Sequence, residues 1–183
     1  MRTIPRILAM TVLLTAPALA AQTPRSAEHV LSDAKARAAE QRKNIFLIFG
    51  ASWCAPCRML EKFLYARETR PILDKYFVIA ELSILEELGK KPELNSPGAA
   101  ELAADLGGKS SGVPFIVFLN ERGQPIVSSN RPGEDAPGGG NVGYPVTPQE
   151  IEWFMSMLKK SVPSFTETEA RVIESWLQAA ARG

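Results

Sequence analysis

Five large apolar residues in unbroken succession, Ile45-Phe46-Leu47-Ile48-Phe49, set the strongest constraint on how this chain folds. A strand with one wet face alternates apolar and polar side chains, so this run reads as a strand covered on both sides. Helices must supply the cover. Gly50-Ala51-Ser52 breaks the run, and apolar side chains then recur at helical intervals through Cys57, Leu60, Phe63 and Leu64. Upstream, Ser26 is placed to cap a helix with Ala27, Val30, Leu31, Ala34 and Ala38 on one face. An order of helix, buried strand, turn and helix points to the α/β class.

The same reading continues downstream. Pro71 suits the first turn of a short helix, and residues 77–82 form a second strand. Residues 83–98 are charged and carry Gly89, Pro92, Pro97 and Gly98, a loop or insertion. A short helix over residues 99–106 precedes an apolar strand at 115–119. The turn Asn120-Glu121-Arg122-Gly123 folds that strand back as a hairpin onto residues 125–129, where Pro125 marks an edge strand. Residues 130–143 hold five glycines and two prolines and read as a loop. Thr147 to Glu150 and Thr166 to Glu169 are capping boxes that open two helices. Val146 and Ile151 are spaced for a hydrophobic staple, and Val172, Ile173, Trp176, Leu177 and Ala180 share one side of the last helix.

The first twenty residues have another character. Arg2 and Arg6 precede a nearly continuous apolar stretch over residues 7–14, and Pro17 leads into Ala18-Leu19-Ala20, the pattern of a cleaved secretory signal. The stretch is short of the roughly 20 residues that span a bilayer. The expected organisation is a signal peptide over 1–20, an N-terminal helix within 21–43, the main domain over 44–161 and a C-terminal helical extension over 162–183. Without Arg2 and Arg6 the 21 basic residues become 19, against 20 acidic. That near-neutral chain gives no electrostatic case for nucleic acid or an anionic membrane, and no stable membrane insertion is expected of the mature form. Periplasmic or secreted localisation follows from the signal, and export places both cysteines where disulfides persist.

Those two cysteines carry the chemistry. Two cysteines and one histidine cannot make an ordinary four-ligand zinc site, and no metal is expected. Cys54 and Cys57 flank Ala55-Pro56 at a strand-to-helix junction. Unpaired N–H groups and the helix dipole stabilise a thiolate at the first position, so Cys54 reads as the attacking nucleophile. Cys57, one turn inside, is its resolving partner, and Trp53 shields the pair. A structural disulfide is the plainer alternative, but the loop that it would close is too short to stabilise much by loop-closure entropy.

At Trp53-Cys54-Ala55-Pro56-Cys57 the chain resembles the thioredoxin superfamily, differing from its motif only by alanine in place of glycine, and the resemblance extends over residues 45–161. It implies a thioredoxin-like sandwich with a central mixed sheet of about four strands, ordered 77–82, 45–49, 115–119, 124–128, flanked by helices with an extra C-terminal one. It also implies a cis bond at Pro114 in Gly112-Val113-Pro114, with that proline against the cysteines and the Val113 backbone pairing with an extended substrate. Within the superfamily, the sequence Arg58-Met59-Leu60-Glu61-Lys62-Phe63 and the short helix near Pro71 look most like exported thioredoxin-like domains. The chain departs from thioredoxin at Ile48, where that protein has a buried aspartate, and at Lys62, where it has a proline. Glu81, at a lysine position of the family, becomes the candidate proton acceptor.

The expected function is exported thiol–disulfide exchange, as a reductase or electron relay acting on client proteins with disulfides. No bound cofactor is required, because the two sulfurs carry the electrons, and the donor would be a membrane thiol relay. The alternative is a binding or chaperone-like module on the same scaffold, with a merely structural disulfide and the loops 83–98 and 130–143 holding the client.

Overall fold

The computed structural model describes residues 23–133 and 140–182. The signal segment 1–20 and the middle of the glycine-rich loop, with Glu134 and Asp135, lie outside the described residues.

The chain forms α1 (Ala27–Gln41), β1 (Asn44–Gly50), α2 (Ala55–Tyr65), α3 (Arg70–Tyr76) and β2 (Phe77–Ser83), followed by two 3₁₀ turns at Glu86–Gly89 and Pro92–Leu94. Then come α4 (Ala99–Ala103), β3 (Phe115–Leu119), β4 (Pro125–Ser128), α5 (Pro148–Ser161) and α6 (Glu167–Ala180). The sheet order is β2-β1-β3-β4, with β1 parallel to β2 and antiparallel to β3, and β3 antiparallel to β4. This is the mixed four-stranded arrangement expected from the sequence.

The burial of β1 follows from its place between two strands and two helical layers. Phe46 and Ile48 face a core with Leu60, Phe63, Leu64, Phe118, Phe154, Ile173 and Leu177, contributed largely by α2, α5 and α6. Ile45, Leu47 and Phe49 face the other side, where α1 and α4 supply Ala27, Ala34, Ala38, Ala99 and Ala103. Small side chains let those two helices lie close to the sheet. On the first face Phe46 meets Phe118 edge-on, 4.6 Å between centroids, and Phe63 packs 5.3 Å from Trp176. The last helix therefore joins the main core through Ala170, Ile173 and Leu177, while Val172 stays at the rim, 37% exposed.

The local signals explain the element ends. Ser26 accepts from the His29 N–H and caps α1, and both capping boxes are closed in each direction. Pro71 lies in the first turn of α3, where its missing N–H costs nothing. Gly123 takes φ 81° in the hairpin turn, a conformation open to glycine.

Three expectations are refined. The helix read over 99–106 is α-helical only to Ala103 and continues as a wider turn to Gly108, with Gly107 at φ 88° interrupting it. Val146 is 45% exposed, so the staple with buried Ile151 does not cover it. Residues 83–98 are ordered by the two 3₁₀ turns and by a buried glutamate, which composition alone does not reveal.

Candidate active site

The chain leaves β1 through Ala51-Ser52-Trp53 and enters α2 at Cys54. The Cys54 N–H donates to Ala51 O at 3.1 Å and closes the connecting turn. Cys54 is the N-cap of α2, its sulfur accepting from the Cys57 N–H at 3.1 Å, and Pro56 occupies the first helical turn. The sequence builds this junction because the extended strand ends at Gly50 and proline inside the first turn favours a helix start. Cys54 and Cys57 are joined in a disulfide. Cys54 is 1% exposed and Cys57 is partly exposed, its sulfur lying against the open side of Gly50, where a Cβ would stand 3.5 Å away.

Opposite the cysteines lies the Val113–Pro114 segment, whose peptide bond is cis. The Val113 carbonyl oxygen is 3.4 Å from Cys54 Sγ. The resemblance implied this approach of the Pro114 segment to the cysteines, and the strand order makes it, because the N-terminus of β3 lies beside the C-terminus of β1, with Phe49 opposite Phe115.

Residues from both loops brace this segment and the cysteine turn. Asn141 Nδ2 donates to Gly112 O at 2.8 Å and to Pro114 O at 3.0 Å, gripping the carbonyls on either side of Val113. Asn141 Oδ1 accepts from Ser129 Oγ at 2.6 Å, and that hydroxyl oxygen accepts from the Ile116 N–H. Gly143 passes so close that a Cβ there would stand 2.2 Å from Pro114 O. On the other side, Trp53 Nε1 donates to Leu85 O at 2.8 Å, and Ser52 binds Glu86 through both its N–H and its hydroxyl. Asn141, Ser52 and Glu86 were not singled out in the sequence. Glu86 stands beside Glu87 in a charged segment, and nothing local separates a glutamate that becomes buried from one that stays exposed.

Glu81 pairs with Ile48 in the parallel register and so shares its face of the sheet, beneath α2. The residue as a whole is exposed, and it lines a cleft shared with Cys57, Leu60, Leu64 and Glu86, with a volume of about 530 Å³. Tyr65 Oη donates to Glu81 Oε1 at 3.3 Å. Desolvation raises the Glu81 pKa above its ordinary value; the Tyr65 hydrogen bond opposes this and the charge of Glu61 adds to it. A larger groove between α5 and α6, about 1040 Å³, lies away from the cysteines and shares none of their neighbours.

The profile of the thioredoxin-like family matches residues 26–121, just over half of the chain. The chain belongs to the thioredoxin-like family. Cys54 and Cys57 form its CxxC pair, and the fold that surrounds them is that of a protein-disulfide oxidoreductase. Among solved structures, the disulphide isomerase from Xylella fastidiosa Temecula1 is similar over 90% of this chain and 98% of its own, at 18% identity and a TM-score of 0.51. A protein described as DsbH oxidoreductase is similar over 86% of this chain and 96% of its own, at 20% identity and a TM-score of 0.43. A thioredoxin from Thermus thermophilus covers 77% of this chain and 89% of its own, at 18% identity and a TM-score of 0.45. No curated protein matches the sequence. Identities this low bear on the fold alone, and thioredoxin-like architecture over nearly the whole chain is what the first structure supports.

Proposed function

We propose that this thiol–disulfide oxidoreductase is exported and acts as a reductase or electron relay for protein disulfides. The observation that carries the reading is the Cys54–Cys57 disulfide at the N-terminus of α2, with the Val113 carbonyl 3.4 Å from the first sulfur. The signal-like segment ending at Ala20 supports export, and the small, uncharged Ala55-Pro56 pair supports a reducing role. A positively charged residue between the cysteines would stabilise the thiolate, and with it the reduced form.

The proposed cycle starts from the dithiol. The Cys54 thiolate attacks a client disulfide, forms a Cys54–client mixed disulfide and expels one client sulfur, which takes up a proton. Cys57 then loses its proton and attacks Cys54 Sγ, forming the Cys54–Cys57 disulfide and expelling the second client thiol. Two electrons and two protons pass to the client, and a donor dithiol returns them by the same exchange in reverse. Val113 would pair with the extended client backbone, Pro114 and Trp53 would flank the exchanging sulfurs, and Glu81 would accept the Cys57 proton. Among the described residues no helix is long and apolar enough to cross a membrane, so a membrane-bound donor would meet this domain from outside itself.

The test is the equilibrium of the pair with a dithiol buffer, together with trapping in Cys57→Ser. A potential near roughly −270 mV and stable Cys54–client mixed disulfides are expected; a value near roughly −120 mV would make the protein an oxidant. Full biological activity in Cys54→Ser would instead select the binding or chaperone-like role.

A further inference from the structure

Among the described residues Glu86 is the buried acidic side chain, and the exchange chemistry above leaves it without a task. It is 1% exposed, and both its carboxyl oxygens accept from one residue: Oε1 from the Ser52 N–H and Oε2 from Ser52 Oγ, each at 2.7 Å. Ser52 lies inside the Ala51–Cys54 turn, two peptide units before the first cysteine, so the two Cα atoms are at most about 7.6 Å apart. A carboxyl group bound to Ser52 is therefore tied to the turn that leads into Cys54, and Glu86 lines the cleft that Cys57 also lines.

The turn that carries Glu86 is built to stay in place. Asn95 Oδ1 accepts from the Glu86 N–H at 3.1 Å, and Leu85 accepts the Trp53 indole N–H through its carbonyl. Gly89 gives the indole room, since a Cβ there would stand 2.6 Å from Trp53 Cδ1. Other charged groups surround the same place. Arg58 of α2 donates to Ser52 O at 3.3 Å, Glu61 of α2 and Glu81 of β2 line the same cleft, and Glu87 on the turn accepts from Asn95. Of these acids only Glu86 is both buried and tied to the cysteine turn.

We propose that Glu86 is a positioning residue that tunes the Cys54–Cys57 pair. Through Ser52 it fixes the turn before Cys54 and sets a negative charge beside it. In a poorly solvated setting that charge disfavours a thiolate on Cys54, destabilises the reduced form and keeps the dithiol reducing. The Ser52 hydroxyl, by donating to the carboxylate, moderates the effect.

The inference rests on disulfide exchange at this pair, but its test reads differences between variants and so holds for any absolute potential. The full chain is equilibrated with dithiol buffers, and the Cys54 alkylation rate of the reduced protein is followed against pH. Glu86→Gln removes the charge: the equilibrium should move about tenfold toward the dithiol, near 30 mV, with Cys54 titrating at lower pH. Glu86→Asp, retaining the charge, should lie nearer the wild type. Ser52→Ala, at an exposed residue, uncovers the charge and should move both readouts the opposite way, by about threefold. If Glu86→Gln does not fold, the sign of the Ser52→Ala shift decides alone. Unchanged readouts in the folded variants, or a Ser52→Ala shift toward the dithiol, overturn the proposal; loss of all exchange in the wild type would overturn the oxidoreductase reading instead.

Discussion

The carbonyl oxygen of Val113 lies 3.4 Å from the sulfur of Cys54, although 59 residues separate them in the chain. The contact depends on the segment around Pro114 holding its shape, and Asn141 holds it by donating to the carbonyls of Gly112 and Pro114. Asn141→Ala removes that grip and leaves Ser129 Oγ without its acceptor. A loss of about 1–3 kcal/mol in denaturant unfolding is expected, with weaker client binding, while the reduction potential stays close to wild type. A large change in potential with unaltered client binding would contradict the assigned role.

Two effects oppose each other at the cysteines. Cys54 sits at the helix N-cap, which favours its thiolate, yet it is the more covered sulfur in the disulfide state. A helix N-terminus favours the thiolate of a thiol placed there, and the thiolate is the species that alkylates. Cys54 is therefore expected to alkylate about tenfold faster than Cys57 in the reduced protein, read by mass spectrometry of the labelled peptides. Faster labelling of Cys57 would show that access, not the helix field, governs reactivity.

Glu81 shares the cleft with Cys57, and desolvation raises its pKa, so it is suited to hold a proton closer to neutral pH than an ordinary glutamate. Glu81→Gln should slow resolution of a mixed disulfide by about tenfold and leave the first attack by Cys54 nearly unchanged, as separated by stopped-flow kinetics. It should also raise the melting temperature at neutral pH. A carboxyl whose folded pKa is raised opposes folding once it ionises, so the gain should vanish as pH falls below the ordinary carboxylate range. An unchanged resolution rate would leave water as the acceptor.

Glu169 behaves in the opposite sense. Desolvation raises its pKa, but hydrogen bonds from Lys75, Thr166 and Tyr76 outweigh it and hold the group at about 2. A depressed folded pKa stabilises the fold above the ordinary glutamate value, and this contribution is lost as pH falls toward about 2. Because Glu169 closes the capping box of α6 and meets α3 through Lys75 and Tyr76, acid should loosen the C-terminal helix first. Thermal melts of wild type and Glu169→Gln should differ at pH 7 and converge near pH 2. Parallel curves across that range would exclude the role.

The sequence by itself determined most of the elements and the place of the cysteine pair. Five apolar residues at 45–49 could only be a covered strand, Thr147 and Thr166 with their glutamates could only open helices, and a CxxC at a strand-to-helix junction places one sulfur at a helix start. Each of these signals lies within a few residues of chain, where steric preference and hydrogen-bond reach are local. Tertiary structure decided which distant groups act on that pair. Placing β3 beside β1 brings Val113 to Cys54, and the parallel register with Ile48 turns Glu81 beneath α2. The folding of two charged or glycine-rich loops buries Glu86 against Ser52 and sets Asn141 around Pro114. Such contacts have no sequence signature, because a glutamate or asparagine in a polar loop looks the same whether solvent or a distant backbone satisfies it. Only the packed fold supplies the partner, and burial of that partner turns an ordinary polar side chain into part of the site.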